Sequence, residues 1–407
     1  MADQKTTLGV WVNLLTKSTL TIIAAALLSI SIAWQNVHAA TLTVNDSGDQ
    51  IVANSVGGTC TLREAILAIN QGSLIVNDAS GATGCINSGS GFGTNDQILF
   101  DADRTITTGF PEGGLFITNS VLINPAGPNQ QNITFNANNR SRHFSILPPQ
   151  DSTPNPIISV GFNNIVFTNG RAETDATFAG SLLIQNSNVS INNSTFTNNF
   201  ATNNSGAIFI STQLGSNTST LNIDNSTVSN NRSDGNTGAI FAASQNASVT
   251  VNLRNTTIAN NSAPIVGGVR IFGGATNINL TNSIIADSTN ANCILESGGT
   301  ITSDSQSIIE GDNCGSGART IDPGLLSLSN NGGGTLTHAL ALESPAVNSG
   351  NNSNCLATDQ RGEPRPRTSA DRCDVGAFEQ NESDRDRLNA SFIIIPISNN
   401  RAVVAPL

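Results

Sequence analysis

The chain has 407 residues, of which 4% are aromatic and 12% are charged, and it contains 37 glycines and no tyrosine. Its 29 acidic residues outnumber the 18 basic ones, which gives a formal net charge of −11 at pH 7. Such a surface repels nucleic acid and anionic lipid, so neither is expected as a partner. It would also repel an acidic polysaccharide unless calcium bridged the protein and the polysaccharide. Calcium is therefore the one cofactor that we retain as a candidate.

Residues 1–39 are predicted to be a secretory signal peptide. Two lysines precede an apolar run at 18–34, and Val37 and Ala39 supply the small residues of a cleavage site. An uncleaved membrane anchor is the alternative interpretation. No later segment reaches the ~18 consecutive apolar residues that indicate a spanning helix, so the mature chain is expected to contain none.

The segment 40–150 is predicted to form an N-terminal cap and the first coils of a larger stack. Residues 41–44 alternate like a strand, and 60–70 is the only convincing amphipathic helix. Four apolar residues share one face of that helix: Leu62, Ala65, Ile66 and Ile69. A helix in this place would cover the open end of stacked strands, which otherwise presents unpaired backbone to other chains.

Residues 151–315 contain one pattern five times, Φ-x-Φ-x-N-x-x-Φ-x-N-N, where Φ is apolar. The asparagines at its fifth position are Asn164, Asn193, Asn225, Asn255 and Asn282. Their spacings, by subtraction, are 29, 32, 30 and 27 residues. A nearly fixed period of this length is typical of stacked repeats, each of which cannot bury its apolar face alone.

Each repeat is predicted to be made of strands, because its apolar residues alternate with period two. A second short strand follows, as at 206–210 and 238–242, and no helical pattern lies between copies. The predicted fold class is therefore all-β, a right-handed parallel β-helix of the pectate-lyase-like kind with an N-terminal capping helix. Two interior stacks are expected, Val160, Val189, Leu221, Val251 and Ile278 in one and Phe167, Phe196, Val228, Ile258 and Ile285 in the other. Disordered low-complexity sequence is the alternative, but it does not keep apolar stripes in register.

Two further expectations follow from this alignment. The five asparagines named above should stack as an amide ladder, each bonding its equivalent on the next coil. Asn198, Asn230 and Asn260 should take the left-handed backbone of tight corners. Asp224 and Arg254 occupy equivalent outward positions, so they should lie on adjacent coils about 4.8 Å apart and form a surface ion pair.

Motifs near both ends of the mature chain resemble one family. Residues 60–66 (CTLREAI) resemble the signature of CSLREA-domain proteins, with Thr61 in place of serine. Four later motifs resemble the choice-of-anchor Q domain: 330–340 (NNGGGTLTHAL), 344–350 (SPAVNSG), 359–362 (DQRG) and 373–379 (CDVGAFE). Asn348 stands where an acid is commoner in that family. The resemblance implies an exported bacterial right-handed β-helix protein, extracellular or on the outer cell surface, with no established activity.

The repeats carry a second, shorter resemblance. Residues 206–209 (GAIF) and 196–199 (FTNN) are similar to the GGAI and FxxN repeats of polymorphic outer-membrane adhesins. After the coils, we expect a choice-of-anchor Q-like region at 316–380. A charged spacer and a terminal β-hairpin are expected at 381–407, because two apolar runs there flank a polar turn.

Six cysteines in an exported chain predict disulfides. Sequence alone permits 15 pairings, but a solenoid keeps residues that are near in sequence near in space. The expected pairs are Cys60–Cys85, Cys293–Cys314 and Cys355–Cys373. Metal binding by cysteine is the rival interpretation, and the absence of any Cys-x-x-Cys sequence argues against it.

The sequence predicts neither a catalytic nor a metal site. Glycan lyases and hydrolases on β-helices need clustered carboxylates, and no repeat strand has two acids at alternate positions. His143 and His338 are candidates only in the weak sense that histidine can act as a base. We therefore expect adhesion, envelope structure or carbohydrate binding, with an extracellular glycan or surface protein as partner. A polysaccharide lyase or glycoside hydrolase is the alternative, which a groove lined by three or more acids and an arginine would favour.

Overall fold

Strands from successive coils pair in parallel and in register, so that the chain winds as a β-helix. The computed structural model describes residues 39–51, 58–76, 81–108, 114–124, 132–149, 156–173, 178–212, 218–245, 247–311, 314, 317–368, 371–390, 392–397 and 401–406. Residues 1–38 of the predicted signal peptide lie outside the described residues.

Three long sheets and one short sheet form the walls of the β-helix. Sheet 1 comprises Thr41–Val44, Asp96–Phe100, Val121–Ile123, Ile158–Asn163, Ser187–Asn192, Ser219–Asp224, Val249–Arg254, Thr276–Thr281 and Thr300–Ser303. Sheet 2 comprises Arg104–Thr107, Ile133–Asn136, Ile165–Thr168, Thr195–Thr197, Thr227–Ser229, Thr257–Ala259, Ile284–Ala286 and Ile308–Ile309. Sheet 3 comprises Leu115–Ile117, Phe144–Ile146, Leu182–Gln185, Ile208–Ser211, Ile240–Ala243, Val269–Phe272 and Cys293–Glu296. Sheet 4, between sheets 2 and 3, comprises Arg171–Ala172, Phe200–Ala201 and Arg232–Ser233.

The core is made of the inward residues of these sheets, and both predicted interior stacks are confirmed. Each member of the first stack pairs with the next in sheet 1, and each member of the second pairs with the next in sheet 2. Phe167 and Phe196 lie face to face with ring centroids 4.3 Å apart. The all-β parallel β-helix is therefore confirmed, and its predicted right-handed winding is consistent with this arrangement.

Asparagine makes both corners that flank sheet 2. The five asparagines of the repeat turn the chain from sheet 1 into sheet 2 with φ between 45° and 54°. Asn198, Asn230 and Asn260 turn it out of sheet 2 with φ between 56° and 59°, as predicted. Asparagine tolerates this left-handed backbone better than other residues with a side chain.

The capping helix α1 spans Leu62–Gln71 and buries the four apolar residues predicted for its inner face. Thr61 and Glu64 form a capping box, in which each side chain bonds the other residue's backbone N–H. Threonine at this position therefore does what serine would do. All three predicted disulfides are present, and Cys60–Cys85 lies at the start of α1.

After Ile308–Ile309 the described part of the chain continues sheet 2 only by one isolated parallel bridge, from Ile308 to Arg319. It contains two antiparallel pairs, Leu325–Ser329 with Thr337–Leu340 and Phe392–Ile397 with Arg401–Pro406, and the second pair confirms the predicted terminal hairpin. A 3₁₀ turn spans Asn352–Asn354, helix α2 spans Glu382–Ala390, and a short pair near α1 joins Ile75–Val76 to Gly81–Ala82.

Most of the predicted charged spacer at 381–388 lies in helix α2. Asn381 Oδ1 accepts a hydrogen bond from Asp384 N at 2.9 Å and caps the helix start. Acidic residues occupy the first turn and Arg387 the last, an order that complements the helix dipole. These signals were present in the sequence, but the segment has no apolar face from which a helix could be inferred.

Candidate functional site

An amide ladder exists inside the β-helix, but it is formed by the asparagines that end the second, third and fourth repeats. Asn231 Oδ1 accepts from Asn199 Nδ2 at 2.9 Å, and Asn231 Nδ2 donates to Asn261 Oδ1 at 3.0 Å. Asn199, Asn231 and Asn261 are at most 1% exposed. Their Nδ2 atoms also donate to Phe167 O, Phe196 O and Val228 O, one coil back along the stack. The ladder thus satisfies the backbone of the second corner.

The ladder predicted at the fifth repeat position is wrong for the asparagines whose side-chain bonds the structure defines. Asn225 Nδ2 donates to Thr358 O at 2.7 Å, Asn255 Oδ1 accepts from Leu356 N at 3.2 Å, and Asn282 Oδ1 accepts from Asn351 N at 2.8 Å. These asparagines turn their amides away from one another and toward the C-terminal segment. At Asn193 the backbone carbonyl accepts from Thr335 Oγ1 at 2.9 Å.

Residues 323–368 and 371–380 form a C-terminal clasp that lies along the outer face of sheet 2. Thr195 Oγ1 donates to Leu336 O at 2.6 Å, and Thr227 Oγ1 donates to Gln360 Oε1 at 2.6 Å. One coil further, Thr257 Oγ1 accepts from Ala377 N at 3.0 Å. The aligned threonines of three coils therefore hold three separate parts of the clasp.

The motifs that resemble the choice-of-anchor Q domain supply these contacts. Gln360 is 1% exposed, and its Nε2 lies within 3.0 Å of Thr195 Oγ1, Thr335 Oγ1 and Leu336 O. Gly376 has φ 98°, and a Cβ there would come within 2.8 Å of Thr257 Oγ1 and Ile284 Cδ1. Glycine is thus needed for the clasp backbone to lie directly on sheet 2. The glutamine and the glycine of these motifs therefore attach the clasp to sheet 2.

Both candidate histidines are structural. His338 is 1% exposed; its Nδ1 faces Leu326 O at 2.6 Å and its Nε2 faces Ser229 Oγ at 2.8 Å, which ties the clasp to sheet 2. His143 is fully buried with Nε2 2.9 Å from Phe135 O and Nδ1 3.0 Å from Ser181 Oγ. Burial lowers the pKa of His338, and it lowers the pKa of His143 to about 4. Neither ring is placed to meet a substrate.

A buried network of charges holds the clasp together. Arg361 Nε lies 2.9 Å from Asp359 Oδ2, and its NH1 lies 3.0 Å from Asp384 Oδ2 at the start of α2. Arg365 donates to the carbonyls of Asp374 and Gly376 at 2.8 and 2.9 Å. Asp374 in turn accepts from Asn348 N at 2.7 Å, and Asn348 has φ 51°. Asparagine suits that left-handed backbone, which explains its presence at this position.

Glu379 makes the stability of the clasp depend on pH. It is 1% exposed, and burial, with the nearby Asp374 carboxylate, raises its pKa to about 7 against the partial opposition of Arg365. A carboxyl whose pKa is higher in the folded state stabilises that state below its ordinary pKa of 4.5, and the contribution is lost as the pH rises through 7. We expect the clasp to be more stable near pH 5 than near pH 8, by on the order of 1–3 kcal/mol.

Urea unfolding at the two pH values measures this difference. Glu379→Gln should remove most of it, whereas Glu363→Gln, at an exposed position of the same clasp, should leave it in place. A Glu379→Gln protein that keeps the full pH dependence would contradict the assignment to Glu379.

The outer face of sheet 3 carries a column of apolar residues that is covered at the central coils and exposed at its N-terminal end, where Phe116 is 58% exposed. Leu183, Phe209 and Phe241 are only 7–8% exposed. The Phe209 and Phe241 rings are 5.2 Å apart, and the Arg270 guanidinium lies 4.8 Å from the Phe241 centroid while its Nε contacts Glu296 Oε2 at 2.6 Å. The aromatic and charged side chains at the centre of this face therefore contact one another.

Sheet 1 has an open outer face, and a shallow groove runs along it. One stretch, of about 520 Å³, lies over the N-terminal coils, and a second, of about 500 Å³, continues over later coils. Ser190 and Asn222 line both stretches, so the two are continuous. The groove is the best candidate for a binding site among the described residues, because the outer face of sheet 2 carries the clasp and the central side chains on the outer face of sheet 3 pack against one another.

The outward residues of sheet 1 form three columns across the coils. The first contains Ser159, Asn188, Thr220, Thr250, Asn277 and Thr300. The second contains Leu122, Gly161, Ser190, Asn222, Asn252, Asn279 and Thr302. The third contains Asn163, Asn192, Asp224, Arg254 and Thr281. Amides and hydroxyls therefore dominate the face.

The predicted ion pair on this face is confirmed. Asp224 and Arg254 are register partners on adjacent coils, and Arg254 NH2 lies 2.5 Å from Asp224 Oδ2. The Asp224 side chain is 21% exposed and that of Arg254 43% exposed, so the pair contributes about 0–1 kcal/mol to stability. Its chemical effect is to leave the centre of the groove without net charge.

The groove contains fewer acids than the lyase or hydrolase alternative requires. Its described lining holds two, Asp96 and Asp224. Asp96 is 1% exposed and accepts from Ala40 N and Gly93 N, while Asp224 is paired with Arg254. Among the described residues, no group of three or more His, Cys, Asp or Glu side chains is placed to hold a metal ion.

Comparison of the chain with family models, curated proteins and solved structures finds no match. Within the part of the chain that the structure describes, no helix is long and apolar enough to cross a membrane.

Proposed function

We propose that this chain is an exported β-helix protein of the outer cell surface or extracellular space that binds a glycan through the groove on sheet 1. Adhesion or envelope structure would be its biological role, and a surface protein is the alternative partner. The observation that carries the proposal is the open groove on this face, which is lined mostly by amides and hydroxyls. The outer face of sheet 2 carries the clasp, and the central aromatic groups of sheet 3 pack against one another.

Export and family membership are part of the proposal. The apolar run at 18–34 and the small residues before Ala40 support a cleaved signal peptide. Three disulfides and a described region without a spanning helix are compatible with an extracellular protein. The clasp gives a structural role to the motifs that resemble the choice-of-anchor Q domain, which supports a relationship to that family.

A glycan array probed with the purified mature protein, with and without calcium, tests the proposal. We expect binding that Ser190→Arg abolishes, because Ser190 lines both stretches of the groove and arginine would obstruct it. Asn236→Arg, on a turn away from sheet 1, is the control and should bind like the wild type. Binding that survives Ser190→Arg would place the site elsewhere, and cleavage of a bound glycan would favour the lyase or hydrolase instead.

A further inference from the structure

The middle column of sheet 1 contains a second amide ladder, which faces outward. Asn252 Nδ2 donates to Asn222 Oδ1 at 2.8 Å, and Asn279 Nδ2 donates to Asn252 Oδ1 at 2.7 Å. A side-chain amide has two N–H donors and two acceptor lone pairs, so Asn252 keeps one of each for a ligand. The ladder also fixes the amide orientation, which reduces the entropy lost when a ligand binds.

The columns on either side repeat the same chemistry at the same interval. Thr220, Thr250 and Asn277 flank the ladder on adjacent strands, which lie about 4.8 Å apart along the axis. Thr300 Oγ1 donates to Asn277 Oδ1 at 2.9 Å and extends the array by one coil. A ligand lying along the axis would thus meet a similar set of hydrogen-bonding groups at each coil.

This face carries no unpaired charge in its three columns. Their charged residues are Asp224 and Arg254, which neutralise each other. The protein as a whole has a net charge of −11, and its field would oppose an anionic ligand. Charge complementarity therefore favours a neutral ligand.

One exposed apolar side chain, that of Leu122, lies at the N-terminal end of the middle column. Leu122 is 37% exposed, and a Cβ at Gly161 would come within 2.6 Å of Leu122 Cδ1. Glycine thus lets the Leu122 side chain lie across the neighbouring strand, where it forms part of the groove lining. Pyranose rings combine hydroxyl edges with C–H faces, and amides beside the Leu122 side chain suit both.

We propose that the groove binds a neutral, linear polysaccharide with an extended backbone that lies along the β-helix axis, with successive sugar units facing successive coils. This inference rests on the proposed function and names the class of its ligand. The repeating array explains why the outward positions hold asparagine, serine and threonine in aligned columns, which the internal packing of the β-helix does not require.

Isothermal titration of the mature protein with cellohexaose, chitohexaose and hexagalacturonate, the last with and without calcium, tests the ligand class. We expect a neutral hexasaccharide to bind at least tenfold more tightly than its trisaccharide, because the longer chain contacts more coils. Its affinity should not change between low and high salt. Asn252→Ala should weaken binding about tenfold, the equivalent of one or two lost hydrogen bonds.

Asn236→Ala is the matched control, because it also removes amide bonds between coils, to Asn203 and Asn204, on a different face. It should bind like the wild type, and the melting temperatures of both variants check that each is folded. Binding of hexagalacturonate alone, lost in Asn252→Ala, would overturn the neutral ligand while leaving the glycan-binding function in place. Equal affinities of a neutral hexasaccharide for Asn252→Ala and wild type would overturn the ladder as its site. No binding to any glycan would overturn the proposed function itself.

Discussion

Asn231→Leu should lower the free energy of unfolding by roughly 3–5 kcal/mol. The substitution keeps the number and branching of the side-chain heavy atoms but removes an amide at the centre of the inner ladder. Asn199 N–H would lose its acceptor, and Phe196 O would lose a donor, both in the interior of the β-helix. Each buried polar group left without a partner costs about 1–3 kcal/mol, and the lost side-chain bonds to Asn199 and Asn261 add to that cost.

Urea or thermal unfolding followed by circular dichroism measures the effect. Asn236→Leu, on a half-buried turn where water can replace the lost bonds, should cost less than about 0.5 kcal/mol. If the two variants unfolded at the same midpoint, the inner ladder would not be the stabilising element described above.

Asn225→Gly distinguishes the role of the fifth-position asparagine from that of the ladder asparagine. Glycine adopts the left-handed backbone of Asn225, where φ is 45°, so the corner itself should persist. The amide bond to Thr358 O is the contact that is lost, and the effect should therefore be confined to the clasp. This outcome is the opposite of what a ladder through Asn225 would give.

The alternation of apolar residues was enough to predict the β-helix, its interior stacks and the pairing of Asp224 with Arg254. A period of two decides which residues face inward, and the repeat length decides which coils are neighbours. The choice of ladder position failed because Asn225 and Asn231 recur with the same period. Periodicity alone does not reveal which amide turns inward after a left-handed corner and which turns outward.

The clasp and the groove depend on information that no local pattern contains. Thr227 and Gln360 are 133 residues apart in sequence, and their contact follows no repeat. The alternation predicts that Asn222 and Asn252 face outward. It does not predict that their sheet stays open while the clasp covers the threonines of sheet 2. The motifs that resemble the choice-of-anchor Q domain carried the available signal for the clasp. Their charged and amide residues lie outside the repeats and therefore need partners elsewhere in the fold.

Arg361→Met should release the clasp while leaving the β-helix folded. The Arg361 side chain is 3% exposed and lies between the carboxylates of Asp359 and Asp384, which are 0% and 4% exposed. Removal of one partner from a buried ion pair typically costs 3–5 kcal/mol, because the other charge stays buried without compensation. The guanidinium also lies 3.7 Å from the Phe378 ring centroid, so packing is lost together with charge.

The loss should be local, because the clasp is held by side-chain bonds to sheet 2, whereas the coils are held by their own sheets and stacks. Limited proteolysis with trypsin measures it well, since both lysines of the chain lie in its first 17 residues and the later tryptic sites are arginines. We expect faster cleavage after Arg367 and Arg372 in the variant, with the β-sheet circular dichroism signal retained.

Arg232→Met removes an exposed pair with Asp234 and should change the melting temperature little, since such pairs contribute about 0–1 kcal/mol. A single loss of all structure in Arg361→Met, without prior cleavage in the clasp, would mean instead that the clasp and the β-helix unfold as one unit.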